Sequence, residues 1–263
     1  MGKIISLVNQ KGGVGKTTVA INLAAALGKL GKRTLLVDLD PQGNSSTGLG
    51  INKSDINGKS TYECLVDLVE PQEAVIKTRF TNLFVMPSTI NLAGIDFEFR
   101  DKYDADKSFN MKGQLKSVLN EIRRGYDYII VDCPPNLGTL TMNALVASDA
   151  LIIPVQCEFF ALEGITQLLN TIISTQKKLN PKLQVEGVLL TMLDSRTNLG
   201  MDVVEEVRKF FGDKTFDTII PRLIRLVEAP SHGEPINVYD PENRATIAFE
   251  NLAKEVLLRD ERD

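Results

Sequence analysis

The feature that most constrains this chain is a glycine-rich loop near its start, enclosed between two apolar segments. Residues 9–18 read Asn-Gln-Lys-Gly-Gly-Val-Gly-Lys-Thr-Thr. The apolar run 4–8 before the loop predicts a buried strand, and the apolar run 19–27 after it predicts a buried helix. A strand, a glycine loop and a helix in this order are the context that a phosphate-binding loop requires.

Each residue type in the loop suits an anionic ligand. The glycines Gly12, Gly13 and Gly15 allow the backbone to turn tightly and to approach a phosphate closely. The backbone amides then point at the phosphates, and the N-terminus of the following helix adds positive potential. We expect Lys16 to reach the β- and γ-phosphates of a nucleotide and Thr17 to offer its hydroxyl to Mg²⁺. A glycine turn with incidental lysines is the plainer interpretation, and the flanking strand and helix disfavour it.

The loop departs from the common phosphate-loop motif in one place. Gln10 stands where a glycine is usual, and a second lysine, Lys11, begins the loop. Residues 11–18 match the deviant Walker A motif, so the chain resembles the ParA/MinD family of P-loop ATPases. In that family the first lysine reaches across a dimer interface to the partner's nucleotide, which makes Lys11 and Lys16 candidate catalytic residues.

This resemblance implies ATP and Mg²⁺ as cofactors. The nucleotide-binding residues that it implies in the loop are Lys11, Gly12, Gly13, Val14, Gly15, Lys16, Thr17 and Thr18. The family also places loops after later strands beside the adenine. Met192 and Pro221 are the candidates for that contact.

Two further apolar runs end in acidic residues. Residues 34–40 end in Asp38 and Asp40, and residues 126–132 end in Asp132. Carboxylates at the C-terminal ends of parallel strands point into the ligand crevice. Acids that merely cap a solvated turn are the alternative. The metal-contacting residues that we predict are Thr17, Asp40 and Asp132.

The resemblance assigns different roles to these acids. Asp40 lies in a segment similar to switch I and would position or activate the attacking water. Asp132 ends a segment similar to a Walker B strand and would hold Mg²⁺ through water. Asp38 would support the loop or the metal shell.

Strand-like and helical segments alternate along the whole length, which predicts an α/β fold with a mostly parallel twisted sheet and helices on both faces. We interpret residues 1–263 as one ATPase domain of the ParA/MinD type. Phe159, Phe160 and Leu162 belong either to the core or to a dimer face. The remaining local predictions are a surface connection at 44–60, helices at 61–69 and 71–76, a solvated segment at 88–107, and a last short strand and turn at 218–225.

The order of the motifs favours the ParA/Soj branch of the family. That branch implies a partitioning ATPase whose ATP-bound homodimer binds double-stranded DNA nonspecifically and is released when a ParB-type centromere-binding partner stimulates hydrolysis. The DNA-contact candidates are Arg196, Arg222 and Arg225. Additional cations that this interpretation allows are Lys177, Lys178 and Arg244.

Charge and composition separate this interpretation from its alternatives. The net charge of -4 leaves room only for local basic patches. A MinD-like scaffold that positions a membrane or protein cargo is the alternative, but the acidic C-terminal segment would be repelled by anionic lipid. The separated cysteines Cys64, Cys133 and Cys157 lack metal-ligand spacing and are expected to be reduced and mostly buried. We therefore expect a cytoplasmic, nucleoid-associated protein without a membrane partner.

Overall fold

The computed structural model describes residues 1–159, 161–162 and 164–261. Seven strands form one sheet in the order β3-β4-β2-β5-β1-β6-β7. All neighbouring strands are parallel except β3 and β4, which are antiparallel. The strands are β1 (Lys3–Leu7), β2 (Thr34–Asp38), β3 (Ile76–Lys77), β4 (Leu83–Met86), β5 (Tyr128–Asp132), β6 (Ala150–Gln156) and β7 (Gln184–Thr191).

Helices cover both faces of this sheet, which confirms the predicted fold class. No helix in the described part of the chain is long and apolar enough to cross a membrane. The helices are α1 (Lys16–Lys29), α2 (Asn44–Gly48), α3 (Lys53–Ile56), α4 (Thr61–Leu65), α5 (Ile95–Ala105), α6 (Gln114–Ile122), α7 (Thr139–Ala147), α8 (Ile165–Lys178), α9 (Asn198–Phe211), α10 (Ile224–Glu228), α11 (Ile236–Tyr239) and α12 (Arg244–Asp260).

The sheet separates two apolar cores. Successive strand residues point to opposite faces, so Ile4 packs into one core and Ile5 into the other. Phe99 of α5 lies in the first core, and Phe249 of α12 lies in the second. Because both faces are covered, the strands read as continuous apolar runs. The three cysteines are free and buried, as expected.

Charged groups fasten the end of α12 to the N-terminal edge of the sheet. The Lys3 ammonium donates a hydrogen bond of 2.6 Å to the buried Glu186 carboxylate and also pairs with Asp260. Tyr128 donates a hydrogen bond to Asp260 as well. Burial alone would lower the pKa of Lys3, but the bonds to Asp260 and Glu186 outweigh it and raise that pKa. This edge of the molecule lies opposite the glycine loop.

Two predicted elements are wrong. Residues 71–74 form turns rather than a helix, and Ile76 pairs with Val85 to make the short edge strand β3. Residues 218–223 are not a strand, because the pairing of this segment with the chain after β7 is not continued by a second bridge. That segment makes only an isolated bridge between Leu193 and Pro221, and helix α10 follows it.

Three other segments differ in part from prediction. The helix expected at 61–69 ends at Leu65, and Asp67 soon afterwards has a left-handed φ of 59°. The charged segment 88–107 contains α5, which is mostly exposed but buries Ile95 and Phe99. The surface connection predicted at 44–60 contains α2, which buries Ser45, Ser46 and Gly48.

The aromatic segment before α8 is described only in part. Leu162 packs against the first core, whereas the Phe159 side chain is exposed. Phe160 and Glu163 lie outside the described residues, as do the last two residues of the acidic C-terminal segment, 262 and 263.

Candidate active site

The glycine loop connects β1 to α1 and takes the shape that an anion cradle needs. Gly13 and Gly15 have φ values of 77° and 88°, in the left-handed region that favours glycine. No atom lies within 4 Å of the position that a Cβ of Gly13 would occupy. The loop lies directly before the N-terminus of α1, where the helix favours an anion.

Hydrogen bonds of the Asn9 and Thr191 side chains tie the glycine loop to the neighbouring strands. The Asn9 amide donates to the Pro154 carbonyl at 2.8 Å, and its oxygen accepts the backbone N–H of Lys11 at 3.0 Å. The hydroxyl of Thr191, at the end of β7, donates to the Val14 carbonyl at 2.9 Å. These bonds fix the loop to β6 and β7 before any ligand is present.

Gln10, which breaks the common motif, has a structural function. Its side-chain amide donates a hydrogen bond of 2.8 Å to the Gly164 carbonyl, just before α8. A Cβ on Gly164 would lie 2.3 Å from that amide nitrogen, and Gly164 has a φ of 77°, so only glycine fits there. The departure from the usual motif thus ties the loop to the start of α8.

Lys16 folds back over the loop. Its side chain is buried, and its ammonium donates to the Lys11 carbonyl at 3.1 Å. Burial lowers the pKa of Lys16, while the nearby carboxylates of Asp132 and Asp40 act in the opposite direction. The lysine is thus placed between the loop and the acids that the sequence analysis selected.

The strand register brings the predicted acids together. Asp38 and Asp132 are direct partners at the ends of β2 and β5, and Leu7 at the end of β1 is also a partner of Asp132. Both acids are fully buried, and Asp40 is nearly so. The structure therefore brings Asp38, Asp40 and Asp132 to the edge of the sheet from which the glycine loop emerges.

The two carboxylate oxygens of Asp132 differ in their hydrogen bonding. The Ser45 hydroxyl donates to Oδ2 at 2.6 Å, while Oδ1 is buried and has no hydrogen-bond partner in the described part of the chain. Burial raises the pKa of Asp132, and the Ser45 and Thr17 hydroxyls oppose that rise. An unpartnered buried carboxylate oxygen is costly unless a cation or donor completes it.

This arrangement fits a magnesium ion bound with a nucleotide. Within the described residues no group of three or more acidic, histidine or cysteine side chains forms a metal cage. Mg²⁺ in phosphate sites uses one or two carboxylates together with phosphate oxygens and water. Oδ1 of Asp132 and the Thr17 hydroxyl supply protein oxygens of that kind.

The two oxygens of Asp38 are already used. Oδ2 accepts bonds from the backbone N–H and the hydroxyl of Ser46 at 2.8 and 2.7 Å, and Oδ1 accepts the N–H of Asp40 at 3.2 Å. Burial, with the neighbouring Asp132 second, raises the pKa of Asp38. These contacts suit the supporting role expected for Asp38.

Sequence reasoning missed Ser45 and Ser46, because residues 44–60 are rich in polar and small residues typical of an exposed connection. The available signal was their place directly after the acidic loop. Gly43, with a φ of 67°, begins α2 and turns both hydroxyls towards the acids.

The adenine candidates follow β7. Met192 has a left-handed φ of 56°, and its Cε lies 3.5 Å from the position of a Cβ on Gly15. The Leu193 N–H donates to the Ile220 carbonyl at 3.2 Å, which places Pro221 beside the same loop. Met192 therefore lies next to the glycine loop, and Pro221 is paired with Leu193, the residue that follows Met192.

Comparisons with known proteins identify the family. A family model described as an AAA domain matches residues 2–185. The sporulation initiation inhibitor protein Soj of Bacillus subtilis is 54% identical over 97% of this chain and 98% of its own length. The chromosome-partitioning ATPase Soj of Treponema pallidum is 47% identical over 99% of both chains. The chain belongs to the Soj/ParA family of chromosome-partitioning ATPases.

A solved structure shares the fold of this chain. Cobyrinic acid a,c-diamide synthase from Mycobacterium smegmatis, with bound ATP analogue and magnesium, superposes with a TM-score of 0.87. It is 33% identical to this Soj/ParA-family chain, and the match covers 100% of this chain and 96% of the other. The family predicted from residues 11–18 is thus confirmed.

In this Soj/ParA-family chain two of the predicted arginines, Arg196 and Arg222, lie close to the bridge between Leu193 and Pro221. Arg196 is highly exposed and donates two bonds, of 2.8 and 2.7 Å, to the two oxygens of Asp194. Hydrogen bonds from Arg196 lower the pKa of Asp194 to about 2. The exposed Arg222 joins this group, because its N–H donates to the Leu193 carbonyl at 3.0 Å.

Arg225 lies in α10 rather than in the strand and turn predicted at 218–225. Its guanidinium donates to the Tyr239 hydroxyl at 3.2 Å and lies 3.7 Å from the Glu228 carboxylate. Lys177 and Lys178 end α8, which begins beside Gln10 and runs for 14 residues, about 21 Å, away from it. The structure therefore places these two lysines at the end of α8 that lies away from the glycine loop.

Proposed function

We propose that this chain is a Mg²⁺-dependent ATPase that uses ATP binding to form a DNA-binding homodimer in chromosome or plasmid partitioning. The observation that carries the nucleotide part is the buried Oδ1 of Asp132, which lacks a partner beside the glycine loop. The cores support one ATPase domain over residues 1–263, since Leu23 of α1 and Phe249 of α12 share a core.

The chain's own residues divide the work at the nucleotide. The amides of residues 12–18 and the ammonium of Lys16 bind and orient the phosphates. Thr17, Asp132 and Asp40 would hold Mg²⁺, which neutralises phosphate charge when it is bound. Asp40 orients the attacking water, and the buried setting of these acids strengthens their electrostatic effect. Met192 and Pro221 flank the adenine.

Lys11 is the residue that we expect to contact the partner subunit. Within the described residues the backbone N–H of Lys11 donates to the Asn9 side chain, and its carbonyl accepts from Lys16. Its ammonium makes no ion pair or hydrogen bond with any described residue. A fixed backbone with a cation still available suits a residue that reaches another molecule. In the ATP-bound dimer Lys11 contacts the nucleotide of the other subunit.

Dimer formation then creates the DNA surface. Arg196, Arg222 and Arg225 are exposed, and Arg196 and Arg222 lie close to the bridge between Leu193 and Pro221. Each subunit alone offers few arginines to contact phosphates, and a dimer offers twice as many. The DNA affinity of the dimer therefore depends more steeply on salt. Arg244, at the start of α12, is an additional candidate. A ParB-type partner accelerates hydrolysis and releases the cytoplasmic, nucleoid-bound dimer.

The experiment that tests the dimer compares Lys11→Ala with Lys16→Ala by light scattering and by binding of a fluorescent ATP analogue. Lys11→Ala should bind the analogue normally and remain monomeric. Lys16→Ala should lose nucleotide binding, because it removes the phosphate-contacting ammonium. Normal ATP-dependent dimerisation of Lys11→Ala would contradict the role of Lys11.

A further inference from the structure

Four residues at the ends of β2 and β4 form a closed ring of hydrogen bonds that includes Asp40. The backbone N–H of Ser88 donates to Oγ of Ser46 at 3.1 Å, and that hydroxyl donates to Oδ2 of Asp38 at 2.7 Å. The N–H of Asp40 donates to Oδ1 of Asp38 at 3.2 Å. The hydroxyl of Ser88 donates to the Asp40 carbonyl at 2.5 Å and closes the ring.

The ring is shielded from solvent. Asp38, Ser46 and Ser88 are buried, and Asp40 is 9% exposed. Water cannot readily replace a lost bond at such positions, so removal of one hydroxyl leaves a buried acceptor without its donor. The ring is therefore a rigid support rather than a set of interchangeable surface contacts.

The ring holds the main chain of Asp40 on both sides of its Cα atom. Its N–H is fixed by Asp38, and its carbonyl is fixed by Ser88. The Gln42 N–H donates to Oδ1 of Asp40 at 3.0 Å, which sets the plane of the carboxylate. With the backbone and one oxygen fixed, the direction of Oδ2 follows.

We propose that Ser46 and Ser88 are positioning residues for ATP hydrolysis, which hold Asp40 in the orientation needed to direct the attacking water. This inference rests on the role proposed above for Asp40. The sequence around β4 gave no reason to connect the end of this strand to the nucleotide. In the structure that exit carries Ser88, which joins β4 to the acidic loop after β2.

The ring and the phosphate cradle use different residues. Residues 12–18 cradle the phosphates, and none of them donates to or accepts from Ser46 or Ser88 among the described hydrogen bonds. Loss of a ring hydroxyl should therefore reduce the rate of hydrolysis and spare nucleotide affinity. Small displacements of a positioning group are enough to lower rates about tenfold or more.

The test measures steady-state ATP hydrolysis with DNA present, together with the affinity for a fluorescent ATP analogue, in Ser88→Ala and Ser46→Ala. Ser148→Ala is the matched control. Ser148 is another buried serine whose hydroxyl donates to a carbonyl, that of Ala144, and it lies at the opposite end of the sheet. Thermal melts verify that each variant is folded, and either ring variant suffices if the other does not fold.

We expect a loss of about tenfold in kcat for the ring variants with KM and analogue affinity unchanged, and no change in kcat for Ser148→Ala. A kcat within twofold of the parent in a folded ring variant would overturn the proposal. So would an equal loss in Ser148→Ala, or a loss of analogue affinity. Asp40→Ala is assayed in parallel: if it hydrolyses ATP normally, the proposed role of Asp40 has failed, and not merely the ring.

Discussion

The hydroxyl of Ser45 donates a hydrogen bond of 2.6 Å to Oδ2 of Asp132 and leaves Oδ1 of that carboxylate for another partner. The bond links α2 to the end of β5. It orients Asp132 in the way that outer-shell partners orient metal ligands.

Ser45→Ala should therefore raise the Mg²⁺ concentration needed for half-maximal ATP hydrolysis by about tenfold, since loss of an outer-shell partner typically weakens metal affinity by that order. A Mg²⁺ titration at saturating ATP measures this shift. Thr47→Ala is the matched control, because Thr47 lies exposed on the same helix and makes none of the bonds to the acids. An unchanged Mg²⁺ requirement in Ser45→Ala would show that the bond does not orient Asp132.

Asp194 is paired with Arg196 and would compete with DNA phosphates for that arginine. Removal of the Asp194 charge should therefore strengthen DNA binding. Asp194 is ionised at neutral pH, as carboxylates of ordinary pKa are, and its two oxygens accept bonds from Nε and one terminal nitrogen of Arg196. Exposed pairs of this kind are weak, so Asp194→Asn should tighten ATP-dependent DNA binding only about threefold at low salt. Fluorescence anisotropy with random duplex DNA measures the change.

Asp213→Asn provides the control for that experiment. It removes the same charge from an exposed residue beyond the far end of α9, about 21 Å along a helix of 14 residues. Its DNA affinity should equal that of the parent. Equal tightening in both variants would mean that net charge, and not release of Arg196, causes the effect.

The Lys3 ion pairs predict a stability effect with a defined pH dependence. Lys3→Met leaves the buried Glu186 carboxylate without its cation and should lower the free energy of unfolding by about 2 kcal/mol at pH 8. Urea unfolding measures this loss. Lys29→Met, which breaks the more exposed pair with Glu250, should cost less than about 1 kcal/mol.

The pH dependence of the Lys3 effect follows from the direction of its pKa shift. The folded-state pKa is raised above the ordinary 10.5, so the contribution is fully present below pH 10.5 and is lost as the pH rises through the raised value. The difference between parent and Lys3→Met should be constant from neutral pH to about pH 10 and should shrink above it. A difference that grows on the alkaline side would refute this assignment.

The sequence predicted the strands best, because the central ones are buried on both faces and must be continuously apolar. The runs before Asp38 and Asp132 therefore gave both the strands and the edge at which the acids meet. The same reasoning failed for the segment around Pro221. An apolar run around Pro221 suggested a strand, but the segment forms only an isolated bridge, and the chain continues into α10.

The supporting residues were not predictable, because their roles depend on long-range packing. Ser46 lies 42 residues before Ser88, and Ser45 lies 87 residues before Asp132. Apart from the place of Ser45 and Ser46 directly after the acidic loop, nothing local distinguishes these serines from those of an exposed loop until β2, β4 and β5 are neighbours. The same applies to Gln10, whose partner Gly164 is 154 residues away.

The measurement that tests the central claim most directly is binding to random duplex DNA, compared in ATP, ADP and no nucleotide over a salt titration. We predict binding only with ATP or a slowly hydrolysed analogue, weakening steeply as salt rises, and strongly reduced by Arg225→Ala with a smaller salt dependence. Equal binding in all nucleotide states, or no binding while ATP hydrolysis remains intact, would contradict the proposal that ATP drives this chain onto DNA.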